Sequence, residues 1–86
     1  MPIPDNINRE HIFRAIIRIE REGIPPRRGA RRWALLQDGI QYPVKLVISW
    51  GNVFPNGVEL DPDPRNFTTD DAQEYLINLN FEIIGL

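Results

Sequence analysis

Closely spaced turn-forming residues divide this chain into short segments, and they constrain its fold more than any other feature. The breaks fall at Gly23 with Pro25-Pro26, at Asp38-Gly39, at Pro43, and along the run from Gly51 to Arg65. Glycine and proline disfavour the interiors of helices and strands, so every element between these breaks must be short. No apolar run approaches the roughly 18 residues that a membrane-spanning helix needs.

The segment from Asn8 to about Glu22 has the clearest helical pattern. Its apolar residues recur at helical spacing and are Ile12, Phe13, Ile16, Ile17 and Ile19. Asn8 suits the N-cap, and Gly23 suits the end of a helix. Because Arg14, Arg18 and Arg21 lie on the opposite face, the sequence predicts an amphipathic helix.

A β-hairpin is predicted next, because Asp38-Gly39 is typical of a two-residue type I′ turn. The turn joins strands over 32–37 and 40–42, which places Leu35 opposite Tyr42 and Trp33 beyond the paired end. Pro43 ends the second strand, since proline donates no ladder hydrogen bond. The stretch from Val44 to Trp50 fits a strand by its β-branched residues and a helix by Pro43 at a first helical position; we predict a helix.

The last third of the chain predicts a loop, a helix and a strand. The run from Gly51 to Arg65 is predicted as loop, and Thr68 with Asp71 resembles a capping box. The helix that follows runs to about Leu79 and buries Ala72, Tyr75, Leu76 and Leu79. A strand over 81–84 needs the hairpin as its partner. The result is an α+β domain over 1–86, in the order α-β-β-α-α-β, with a small, largely antiparallel three-stranded sheet and an extended lead-in over 1–7.

Charge is divided unevenly along the chain. Residues 9–45 carry nine basic groups against four acidic ones, whereas residues 46–86 carry only Arg65 against seven acids. Nine of the ten cations are arginine, whose planar fork of donors suits phosphates and base edges better than lysine does. A basic surface patch is therefore expected despite the net charge of −2.

The sequence lacks the residues that several kinds of catalytic, metal-binding or phosphate-binding site require. The chain has no cysteine, a single histidine (His11), a single lysine (Lys45) and no glycine-rich phosphate loop. Asp61 and Asp63 fit a rigid, solvated loop better than a cation site, and Ser49 lacks the pattern of an activated nucleophile. We predict no enzyme activity, no cofactor and no metal, and, because the start lacks signal-peptide features, a cytoplasmic location.

One series of motifs extends along almost the whole chain: Ile12-x-x-Ala15-Ile16-x-x-Ile19, Gly23-Ile24-Pro25, Arg27 to Arg32, Trp33-x-Leu35, Asp38-Gly39, Tyr42-Pro43-x-Lys45, Ser49, Gly57-x-Glu59-Leu60, Phe67, and Asn80-Phe81-Glu82-Ile83. The series resembles the small N-terminal recognition modules that are joined to HNH nucleases and Mcr-type motor proteins in modification-dependent (type IV) restriction systems of prokaryotic defence. Tyr42-Pro43-x-Lys45 is its most specific part. The resemblance implies binding of modified, for example methylated, double-stranded DNA, with cleavage by a separate nuclease or motor domain or subunit.

The candidate DNA-binding residues are Arg27, Arg28, Arg31, Arg32, Trp33, Tyr42, Pro43, Lys45 and Ser49. The four arginines suit a phosphate-contacting arm, with a solvated loop as the alternative. Trp33 and Tyr42 suit either the core or a pocket that stacks an extruded base. Core packing is the expectation for Trp50 and Phe54, with an exposed partner patch as the alternative.

Two departures from the family pattern affect the expected contacts. Val44 stands where similar modules have a second proline, and Thr68-Thr69-Asp70 replaces a Ser-Gly-Gly run. Asp70 and Asp71 would repel a phosphate at this helix start. Methylcytosine, hydroxymethylcytosine, methyladenine and phosphorothioate all stay open as the modification. The alternative function is a protein-interaction module whose arginine-rich face binds an acidic partner.

Overall fold

A three-stranded antiparallel sheet forms the frame that positions the helices. The computed structural model describes residues 3–86. Strands β1 (Trp33–Gln37), β2 (Ile40–Pro43) and β3 (Glu82–Gly85) lie in the order β2-β1-β3. The helices are α1 (Arg9–Glu22), α2 (Val44–Gly51), the one-turn α3 (Val53–Asn56) and α4 (Thr69–Asn78). The α+β class and the predicted element order are confirmed.

The hairpin has the predicted register. Gln37 pairs with Ile40 and Leu35 pairs with Tyr42. Asp38 and Gly39 both have positive φ, 53° and 78°, as a type I′ turn requires. On the other edge of β1, β3 pairs antiparallel with it and places Gly85 opposite Trp33.

Side-chain caps fix the starts of two helices. Asn8 Oδ1 accepts a hydrogen bond from His11 N at 3.2 Å, and His11 Nδ1 accepts one from Asn8 N at 3.0 Å. Thr68 and Asp71 form the equivalent reciprocal pair at the start of α4. By contrast, α2 follows β2 without a gap, and its N-cap is Pro43, which offers no capping side chain.

The core lies between the sheet and helices α1, α2 and α4. Its fully buried members include Ile12, Leu35, Leu46 and Leu76. The lead-in also contributes, because Ile7 is buried and its carbonyl oxygen accepts a hydrogen bond of 2.6 Å from the Tyr75 hydroxyl. This connection joins the N-terminal segment to α4.

Some expectations about loops and burial differ from the structure. The predicted loop from Gly51 contains the end of α2 and all of α3, because the chain continues with helical backbone through Asn52. Ile17, predicted on the buried face of α1, is 55% exposed because it lies outside the stripe that faces the core. Phe54 is 43% exposed rather than core, since α3 presents its ring at the surface.

Within residues 3–86, the longest helix has 14 residues and none is long and apolar enough to cross a membrane.

Candidate nucleic-acid interface

The arginine-rich loop and the start of α2 enclose a surface cleft of about 360 Å³. Six of the nine candidate residues line it, and these are Arg27, Arg28, Arg31, Trp33, Pro43 and Lys45. The remaining wall is provided by Gly29, Ala30, Val44, Pro62, Pro64 and Thr69. Residues far apart in the sequence thus form one cationic cleft with a partly apolar wall.

Contacts with Pro62 and Phe67 fix the position of the Lys45 side chain in the cleft. It occupies the first turn of α2, its Nζ donates a hydrogen bond to the carbonyl oxygen of Pro62, and Nζ lies 4.7 Å from the centroid of the buried Phe67 ring. These contacts direct the ammonium group toward the Pro62 side of the cleft. Of the three N–H donors of Lys45, one has a hydrogen-bond acceptor among residues 3–86.

Arg28 is the least satisfied side chain of the cleft. Its Nη2 is buried and has no hydrogen-bond partner among the described residues. A buried donor without an acceptor costs about 1–3 kcal/mol, and a charged one costs more. Arg28 also lines the cleft, so an anion bound there would lie near its guanidinium and balance its charge.

Arg28 and Lys45 also affect each other electrostatically. Burial lowers the pKa of Lys45 below its ordinary value, and the positive charge of Arg28 lowers it further. The carboxylates of Asp63, Asp61 and Asp71 act in the opposite direction. The two cations therefore repel each other in the free protein, and a bound anion would relieve that repulsion.

Trp33 forms a fixed apolar wall beside these cations. Its Nε1 donates a hydrogen bond of 3.1 Å to Asp70 Oδ1. The ring lies over the backbone of Gly85, because a Cβ placed on that glycine would be 3.6 Å from Trp33 Cζ3. The hydrogen bond at Nε1 and the contact with Gly85 therefore fix the position of the indole ring in the free protein.

Three candidate residues are not part of the cleft. Tyr42 is buried at 3% exposure, and its hydroxyl donates a 2.8 Å hydrogen bond to Glu20 Oε1. Ser49 is fully buried and donates to the Leu60 carbonyl oxygen at 2.6 Å. Arg32 lies outside the cleft lining, with its Nη2 3.7 Å from Asp70 Oδ1.

The burial of Tyr42 and Ser49 corrects their assignment as contact residues. Tyr42 is directed toward α1, and Ser49 is directed toward the loop that contains Leu60. Both side chains have hydrogen-bond partners within the fold, and neither is more than 3% exposed.

Sequence reasoning missed the contribution of Pro62, Pro64, Thr69 and Asp70. The proline-rich loop, predicted only as a rigid connection, provides a wall of the cleft. The expectation for Asp70 is repulsion of phosphate, whereas its carboxylate accepts from Trp33 and lies beside Arg32. No sequence signal identifies these contacts, because they depend on how α4 packs against β1.

No group of three or more His, Cys, Asp or Glu side chains in residues 3–86 is arranged to hold a metal ion. Comparisons with protein-family models, with curated proteins and with solved structures gave no match for this chain.

Proposed function

We propose that this protein is a non-catalytic module that binds double-stranded DNA and recognises a modification on it, with cleavage carried out by a separate domain or subunit. The observation that carries the proposal is that Arg28 and Lys45, two cations that repel each other, line the same cleft. A backbone phosphate supplies the acceptors and the negative charge that this pair lacks.

The composition of the cleft favours a nucleic acid over a simple anion. Arg27 and Arg31 extend the positive charge beyond the Arg28–Lys45 pair, so the surface suits successive phosphates along a strand. Phosphate contacts position a protein on DNA but carry no sequence information directly. Trp33 with Pro43 and Pro64 gives the cleft an apolar surface next to the cations, which suits contact with a base or with an added substituent.

The salt dependence of binding tests the phosphate contacts. If Arg27, Arg28 and Arg31 bind phosphates, their replacement by alanine reduces the slope of log affinity against log salt by about 0.9 for each phosphate that is no longer neutralised. Modified and unmodified duplexes weaken together. The matched control is Arg65→Ala, because Arg65 does not line the cleft and pairs with Asp63 at 2.8 Å.

An unchanged slope in the folded triple variant would contradict the phosphate assignment. Competition with polyglutamate tests the alternative function, which is binding of an acidic protein partner. If polyglutamate binds the wild type through the same arginines and duplex DNA does not bind at low salt, the cleft recognises an acidic protein instead.

Discrimination between duplexes tests the role of Trp33. A panel of matched duplexes that differ only in the modification identifies the preferred one. With that duplex, Trp33→Ala is expected to reduce the preference for modified DNA and to leave salt-sensitive binding in place, since stacking is worth about 1–3 kcal/mol per base. Trp33→Phe keeps most of the ring and retains part of the preference, which provides a readout should the alanine variant unfold. Full preference in a folded Trp33→Ala variant would remove Trp33 from the recognition surface.

A further inference from the structure

A second surface, separate from the cleft, lies along α1. Phe13, Ile17 and Phe54 form the apolar part of a groove of about 700 Å³, which shares no lining residue with the cleft. The cleft lies at the start of α2, beside Lys45, whereas the groove lies near its end, where the Arg18 guanidinium packs 3.8 Å from the centroid of the Trp50 ring. The two surfaces can therefore be occupied independently.

The floor of this groove, which we call the α1 groove, is apolar and exposed. Ile17 is 55% exposed and Phe54 is 43% exposed, and the half-buried Phe13 lies beside them. A single exposed isoleucine is ordinary on a soluble protein, but adjoining apolar side chains in a concave surface are typical of an interaction site. The core does not use the Ile17 side chain, since the buried residues of α1 are Ile12, Ala15, Ile16 and Ile19.

The rim of the α1 groove carries more arginines than carboxylates. Arg9, Arg14, Arg18 and Arg21 line it, and Glu10 is the single acidic residue among its lining residues. Arg14 pairs with Glu10 at 3.1 Å, and Arg18 pairs with Glu22 and Glu59. Arg9 and Arg21 have no acidic partner within residues 3–86. The rim therefore offers net positive charge to a ligand.

The spacing of the groove residues along α1 indicates the shape of the ligand that would fit. Arg14, Ile17, Arg18 and Arg21 are spaced i, i+3, i+4 and i+7, so they form one stripe. At 1.5 Å per residue the stripe is about 10 Å long, or two helical turns. An amphipathic helix presents its own apolar residues with the same repeat and inserts them into such grooves. A DNA strand would leave the side chains of Ile17 and Phe54 without an apolar contact.

We propose that the α1 groove binds an acidic amphipathic helix of a partner chain, whose apolar face covers Ile17 and Phe54 while its carboxylates meet the arginine rim. A second copy of this chain fits less well. Its acidic helix α4 exposes Ile77 as its one large hydrophobic side chain, and Asp70 on that helix already holds Trp33 and Arg32. One apolar anchor is too few to fill the groove.

Two synthetic helical peptides of identical composition test this proposal. One places leucines on a single face between glutamates, and the other has the same residues in an order that gives no apolar face. The first is expected to bind with at least about tenfold higher affinity, measured by calorimetry. The Arg27, Arg28 and Arg31 triple alanine variant binds it as the wild type does, since its substitutions lie in the cleft.

Single substitutions locate the binding surface. Ile17→Ser and Phe54→Ser are each expected to weaken the amphipathic peptide about tenfold, because each removes an apolar contact that binding would bury. Ile77→Ser is the matched control, with a residue of similar exposure on α4. Equal binding of the two peptides, or wild-type affinity in both groove variants, would overturn the proposal. So would concentration-dependent dimerisation of the wild type that Ile17→Ser abolishes, because the occupant would then be a second copy.

Discussion

Arg28 combines an unpartnered buried donor with a position in the lining of the proposed DNA-binding cleft. Its buried Nη2 lacks an acceptor, and the neighbouring Lys45 adds like-charge repulsion. Buried polar groups without a hydrogen-bond partner, and charged groups close to a like charge, concentrate at functional sites, where a ligand completes the missing interactions. Arg27, in the same loop, has φ of 65°, which is unusual for a residue other than glycine or asparagine.

The first prediction at this scale separates stability from binding at Arg28. Arg28→Met keeps much of the apolar stem and removes the unpartnered guanidinium, so the free energy of unfolding is expected to stay the same or rise by about 1 kcal/mol. DNA affinity is expected to fall in the same variant. Urea unfolding and a duplex titration measure the two effects, with Arg65→Ala as the control for general loss of charge. A loss of more than about 2 kcal/mol of stability would assign Arg28 a structural role instead.

At the scale of elements, Tyr42 connects the sheet to α1. Its hydroxyl donates from β2 to Glu20 on α1. Burial, followed by the Glu20 hydrogen bond and its charge, raises the pKa of Tyr42 from 10.0 to about 12. The protonated hydroxyl is the form that the fold stabilises.

Stability should therefore depend on pH in a defined alkaline window. A raised pKa in the folded state means that the stabilisation is fully present below about pH 10 and is lost as the pH rises toward about 12. Tyr42→Phe is expected to cost about 1 kcal/mol near neutral pH and to flatten the decline in that window. Chemical denaturation at several pH values measures both effects. The Tyr42→Phe variant still contains Tyr75, whose pKa burial also raises, so part of the decline remains. A decline of equal size in wild type and Tyr42→Phe would contradict the assignment to Tyr42.

Local sequence patterns are sufficient to predict most of the helices and strands. The periodicity of α1, the Asp38-Gly39 turn and the Thr68–Asp71 capping box each act within a few residues, so the chain itself encodes them. Pro43 is a partial success, since it ends β2 as predicted but serves as the N-cap of α2 rather than its first residue.

The candidate site is less predictable, because its arrangement depends on contacts between distant segments. Lys45 meets Pro62, and Trp33 meets Asp70, through the packing of α2, α4 and the loop between them. Nothing local distinguishes Tyr42 from Trp33 as an aromatic residue near the basic loop. Both rings lie on the same face of the sheet, because Trp33 is two residues from Leu35 and Leu35 pairs with Tyr42. The helix that each ring meets distinguishes them: Tyr42 is buried against Glu20 of α1, whereas Trp33 contacts Asp70 of α4 and lines the cleft.

At the scale of the whole molecule, the domain measures 28 × 27 × 25 Å. At 3.4 Å per base pair, a surface of this width covers about eight base pairs of duplex. A molecule of this size has room for both the cleft and the α1 groove, so DNA at one does not have to displace a partner at the other. This arrangement fits a module that holds DNA while a separate domain or subunit acts on it.

Mapping the DNA footprint on the protein tests the central claim most directly. Backbone amide chemical shifts of ¹⁵N-labelled protein are followed while a short duplex, carrying the preferred modification, is added at low salt. The account predicts that the largest changes fall in the non-proline residues of 27–33, 43–45 and 62–69, the segments that contain the cleft lining. Amides near Ile17 and Phe54 are expected to stay unchanged. Largest changes along α1 with an unaffected cleft, or no changes at low salt, would contradict the assignment of the cleft as the DNA-binding site.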